Sequence, residues 1–263
     1  MSLTSQVPRT RLQKAVLEEY IFQSAIASTF TPIKDTNGTR YEHLEDLLQH
    51  LVGNQQTHQF WRDWRESAIL GVSHDLFNCI FKLSYLRRKV PLQGDNLIEA
   101  IRICSQLQAW RPLSVTTLIG LDDVTHSVPP WEMIIMSRLY HTATMIYVNK
   151  ILDPTLSTSQ PVVREMVGRG QRILQDVPDH KWQQASVLIW PLLILGISAI
   201  SPEERECFYR PLEYLLLATN LGCVKPVLSL LGYSWNLYPK GPTGECLGLD
   251  ILFRDDLLSG VMF

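Results

Sequence analysis

Five side chains in the segment Pro130–Leu152 fall at spacings of three or four: Arg138, His141, Thr142, Met145 and Asn149. On a helix that spacing places them on one face, with Ile135, Leu139, Ala143 and Ile146 opposite. If apolar neighbours cover both sides, Arg138 and His141 become buried polar groups in need of partners. A few donors in an apolar pocket is the usual form of a small-molecule site. The chemistry such a pair supports is cyclisation or isomerisation of a reactive apolar substrate. Arg138 or His141 would polarise a carbonyl or move a proton as the catalytic groups. Tyr140, Tyr147, Trp190 and the Trp61, Trp64, Arg65 cluster would supply ligand-binding walls. The plainer reading of the same residues is a surface stripe, or a core network whose polar groups satisfy one another.

Other chemistries find less. Asp122-Asp123-Val124-Thr125-His126 has two of the carboxylates of a metal-dependent terpene cyclisation motif, but His126 stands at the third position and Pro129-Pro130 follows closely. A solvated loop explains that stretch better. None of the histidines forms His-x-x-x-His or Glu-x-x-His, so no metal site is expected. There is no Gly-x-Ser-x-Gly elbow, and Gly241-Pro242-Thr243-Gly244 lacks the lysine of a phosphate loop. No cofactor is expected.

Composition narrows the classes. The chain has 263 residues, 46% hydrophobic and 19% charged, with formal net charge -2. That describes a globular protein without the basic stripe of a nucleic-acid binder. Arg87-Arg88-Lys89 is the nearest basic run, and cations at a helix end are explained by the helix dipole. The five cysteines include no pair at metal-ligand spacing, which reads as reduced thiols in an intracellular protein. No apolar core follows the first basic residues, so no secretory signal is expected.

The elements that must position these residues read as helices. Leu12, Val16, Tyr20, Ile26 and Phe30 suggest one, and Tyr41, Leu44, Leu48 and Leu51 a second. Phe60, Trp61 and Trp64 mark a short third. Ser73 can cap a helix through Leu76, Phe77, Ile80, Leu83 and Leu86; Asp95 can cap the next, with Leu97, Ile98, Ile101, Cys104 and Leu107 inward. An irregular connection from Arg111 to Val128 precedes the helix begun by Pro130, and Pro161 starts another. The run Ala185–Ile200 is shorter than the about 20 apolar residues of a membrane span, so it reads as a buried core helix kinked by Pro191, with Gly196 admitting a close neighbour. Ser201, Pro202 and Glu204 form a capping box. Pro211 divides the next helix into Pro202–Arg210 and Pro211–Asn220, Gly222 stops it, and a last helix runs from about Lys225. The fold class is all-α: one multi-helix bundle of about nine or ten helices, a single domain over residues 1–263.

The segment Trp190-Pro191-Leu192, the small residues near its end and Ser201-Pro202-Glu203-Glu204-Arg205 resemble the C-terminal regulatory region of fungal binuclear zinc-cluster transcription factors. Leu70-Gly71-Val72-Ser73-His74-Asp75-Leu76, the apolar helix Trp131–Leu152 and Leu221-Gly222 leading to Trp235 resemble further parts of it. These motifs specify a bundle, not a chemistry. The family's DNA-binding module needs six cysteines in closely spaced pairs, and these residues contain no Cys-x-x-Cys. The resemblance also implies that the first half of the regulatory domain is missing. From that loss we expect a stand-alone protein that binds an apolar small molecule and serves specialised metabolism as a cofactor-independent cyclase or isomerase. The alternative is a transcriptional regulator acting through a partner or effector, and the weaker alternative a terpene-type cyclase using Asp122 and Asp123. The expected partners are an apolar substrate or effector, with a second copy or another protein left open. Neither direct nucleic-acid binding nor a membrane is expected. The location would be cytoplasmic for an enzyme and nuclear for a regulator.

Overall fold

A computed structural model describes residues 11–30, 74–110, 130–175, 177, 187–220, 222–237 and 247–258. Every regular element among them is helical, as the apolar spacings require. In chain order they are α1 (Arg11–Phe30), α2 (His74–Arg87), α3 (Gly94–Ala109), α4 (Pro130–Leu152), α5 (Pro161–Gln175), α6 (Ile189–Ile197), α7 (Pro202–Thr219) and α8 (Val224–Ser234). A closing segment follows: a 3-10 helix, Gly248–Phe253, and the single-turn α9, Asp255–Leu258. The buried apolar residues form one cluster from Ile21 to Leu258. The proposed helices around Leu44 and Trp61, the Ser73 cap and the Arg111–Val128 connection lie outside the described residues.

Two helices organise the rest. α4 packs against α2, α3, α5 and α6, and from Leu139 to Ile151 nearly all of it is buried. A helix surrounded on all sides must be apolar or satisfy its own polar groups. It does both. Ser137 donates to the Ile134 carbonyl at 2.8 Å, Thr142 to Arg138 at 2.7 Å, Thr144 to Tyr140 at 2.7 Å and Asn149 to Met145 at 2.7 Å. α6 lies against α4, α5, α7, α8 and the closing segment, and all of its residues are buried.

Pro191 does not kink the interior of a long helix. α6 begins at Ile189, so the proline lies in the first turn. Its missing N–H would have no intrahelical partner there. Gly196 does admit a neighbour: an added Cβ would meet Leu231 Cδ2 at 2.7 Å, and its carbonyl accepts from Trp235 Nε1 at 2.9 Å.

The capping box forms as read. Ser201 Oγ accepts from the Glu204 N–H at 3.2 Å, and the Glu204 carboxylate accepts from the Ser201 N–H at 3.2 Å. Pro211, however, does not divide the helix. α7 runs unbroken to Thr219 because Phe208, Pro211, Leu212 and Leu215 are buried, and tertiary packing outweighs one lost backbone bond. Asn220, at φ 51, ends it in the left-handed region, ahead of Gly222. Asp95 is likewise not the cap of α3; Gln93 holds that position without a side-chain bond.

The inward faces of α1 and α3 are rotated from the expected ones. Ile21, Phe22, Ala25, Ile26 and Phe30 are buried in α1, whereas Val16 is 62% and Tyr20 44% exposed. In α3 the buried stripe is Ala100, Ile103, Cys104 and Leu107, leaving Ile98 65% and Ile101 51% exposed. Both sequences carry apolar residues on more than one side, and the packing of α1 on α2 and of α3 on α4 selects which side is covered. No helix among the described residues is long and apolar enough to cross a membrane.

Candidate functional site

Arg138 and His141 lie one turn apart on α4 and meet different surroundings. Arg138 is exposed, so it is not the buried donor its spacing suggested. His141 is half-buried, and its ring stacks on Trp110 with centroids 4.8 Å apart and planes 18° from parallel. Its Nε2 lies 2.8 Å from the Leu107 carbonyl. In neutral imidazole that bond puts the proton on Nε2. Trp110 caps the end of α3, and its N–H reaches the same Leu107 carbonyl at 3.2 Å. His141 thus joins α4 to the end of α3.

Three of the expected wall residues do come together. Trp190 of α6 stacks on Tyr140 of α4 at 5.8 Å, with planes 7° apart, and meets Tyr147 edge-on at 6.0 Å. Phe77 of α2 adjoins Tyr140 at 5.0 Å, and Phe22 of α1 adjoins Phe77 at 5.4 Å. Trp61, Trp64 and Arg65, with Asp122 and Asp123, lie outside the described residues.

The polar ends of these aromatics are bonded within the protein. Trp190 Nε1 donates to Thr29 Oγ1 at 3.1 Å, Thr29 and Ser84 share a hydroxyl bond of 3.1 Å, and Tyr147 donates to Ser84 Oγ at 3.3 Å. Ser84 in turn reaches the Ile80 carbonyl at 2.8 Å. Tyr140 donates to the Val187 carbonyl. This node joins α1, α2, α4 and α6, and Thr29, Ser84, Tyr140, Tyr147 and Trp190 are all buried. Burial pushes the Tyr140 phenol well above its ordinary pKa. It raises that of Tyr147 too, against the opposing charge of Arg87 and the Ser84 and Thr29 hydroxyls. Both phenols therefore stay protonated and act as donors at neutral pH. Neutral donors and acceptors that satisfy one another fix how helices meet.

One turn beyond the node, two buried cations clasp the closing segment. Arg87 Nη1 donates to the Leu252 carbonyl at 2.7 Å and faces Asp255 at 3.4 Å. Lys150 Nζ reaches the Pro154 carbonyl at 2.6 Å, the Leu156 carbonyl at 2.9 Å and Asp250 at 2.6 Å. An ammonium has three donors, and these three oxygens use them. Spacing and residue type do not single out Thr29, Ser84 or Lys150, and they assign Arg87 to the helix dipole. A faint signal existed: Ser84 sits four residues after Ile80 on the apolar stripe of α2, and Lys150 interrupts the apolar run that ends α4.

The family model described as the fungal specific transcription factor domain matches residues 3–256. The chain belongs to that family, as its motifs indicated. No curated protein and no solved structure matches it.

Proposed function

We propose that the chain is a regulatory module that takes part in control of transcription by binding a protein partner or an apolar effector. The family match over residues 3–256 carries this reading. A bundle tied by an internal polar node suits it, because such a framework presents surfaces without needing reactive groups. The cyclase or isomerase reading has less to rest on. It required Arg138 and His141 to share a buried pocket, and Arg138 is exposed while His141 holds the end of α3. Tyr140, Tyr147 and Trp190, its expected walls, direct their donors to protein oxygens.

Deleting the gene and measuring transcripts and metabolites together separates the two. A regulator predicts that transcripts of dependent genes fall along with their products. Unchanged transcripts with an accumulating precursor would overturn the proposal in favour of an enzyme. A fluorescent fusion should concentrate in the nucleus, as regulation of transcription requires.

A further inference from the structure

The node and the cation clasps occupy adjacent turns of the same two helices. On α2, Ser84 belongs to the node and Arg87 to the clasp. On α4, Tyr147 belongs to the node and Lys150 to the clasp. The offset is three residues in both, which keeps each pair on one helix face. The node holds α1 through Thr29, while the clasps hold the closing segment through Asp250, Leu252 and Asp255. Elements far apart in sequence therefore dock on the same two helix turns.

This arrangement resists independent motion. α1 packs on α2, so a shift of α1 that displaces Ser84 also displaces Arg87, one stiff turn away. Arg87 and Lys150 are buried cations, and a buried cation separated from its oxygens is strongly disfavoured. The closing segment must follow them or let water in. The layers also touch electrostatically, since the Arg87 charge opposes the burial shift of the Tyr147 phenol.

We infer that α1 and the closing segment are energetically coupled through the Ser84–Arg87 turn of α2 and the Tyr147–Lys150 turn of α4. Loosening either end loosens the other, by the same factor in both directions. The coupling is a property of the bundle and holds whether the chain regulates genes or turns over a substrate. In a regulator it would let an event at α1 be read at residues 248–258.

Amide hydrogen exchange on the full chain tests this in both directions. Thr29→Val removes the hydroxyl that Ser84 and Trp190 share while nearly preserving shape. It should speed exchange at Asp250, Arg254, Leu257 and Leu258 about fivefold or more, the low end of couplings between sites. The double variant Asp250→Asn/Asp255→Asn should speed exchange over Ile26–Phe30 by a similar factor. Ser201→Ala, which removes the α7 cap away from both layers, is the control for general destabilisation. If Thr29→Val affects the closing segment no more than Ser201→Ala does, the coupling is absent. Should Thr29→Val fail to fold, the double variant decides alone: α1 exchange no faster than in the control overturns the inference.

Discussion

The interior node and the rim clasp between α5 and α7 each tie several helices together, by opposite means. In the node, neutral hydroxyls, a phenol and an indole bond to partners 55, 63 and 161 residues away, all buried. At the rim, Arg164 reaches the Ser198 carbonyl at 2.9 Å and the Glu204 carboxylate at 2.5 Å, and that carboxylate also caps α7 through Ser201 and Ile200. The rim side chains are 25% and 19% exposed, so water can replace a lost contact there. In the node it cannot do so without opening the core. Strong charges near solvent thus matter less than weak dipoles inside, because what decides the cost is the alternative partner.

Breaking the node at its largest member should have the greatest effect. Trp190→Ala should cost about 3–5 kcal/mol, the range for removing a large buried aromatic, read as a lower urea midpoint. A loss typical of a surface change would mean that Trp190 is not a core residue.

Alkaline pH tests the same region without mutation. The folded pKa values of Tyr140 and Tyr147 are raised, so the folded state favours the protonated phenols. Their contribution is complete below about pH 10, the unfolded value, and is lost as pH rises through the folded values. Each pH unit above about 10 at which a phenol stays protonated should cost about 1.4 kcal/mol. Tyrosinate absorbance should show these two rings ionising only as the bundle unfolds; early, unlinked titration would argue against their burial.

Single-atom changes sharpen the comparison. Thr29→Val strands the Trp190 Nε1–H donor and removes one donor to Ser84, and should cost about 1–3 kcal/mol. Ser201→Ala, at the rim, should cost about 1 kcal/mol. A larger loss at Ser201 would invert the ranking of the two regions. Smallest of all, Arg138→Ala should change stability by no more than about 0.5 kcal/mol.

The contrast also explains what could be read from residues alone. The capping box at Ser201, the helix starts at Pro130 and Pro161 and the close approach at Gly196 depend on neighbours a few positions away or on the size of one residue. The node depends on partners brought together only by the fold. Tyr140, Tyr147 and Trp190 are legible as large inward side chains, yet nothing local says that the Val187 carbonyl, Ser84 and Thr29 would occupy their polar ends. The same holds for Arg87 and Lys150, whose closing-segment partners lie 165 and 100 residues away. The rotated faces of α1 and α3 have another cause: with apolar residues on several sides, period alone does not choose between them.

The central claim is that the aromatic cluster is a self-satisfied framework, and a double-mutant cycle between Thr29 and Trp190 tests it most directly. Thr29→Val and Trp190→Phe delete the two ends of one hydrogen bond while leaving most of the packing. If the bond is part of a coupled interior network, the double variant departs from the sum of the singles by about 0.5–3 kcal/mol in urea unfolding. Additivity within about 0.3 kcal/mol would contradict the account.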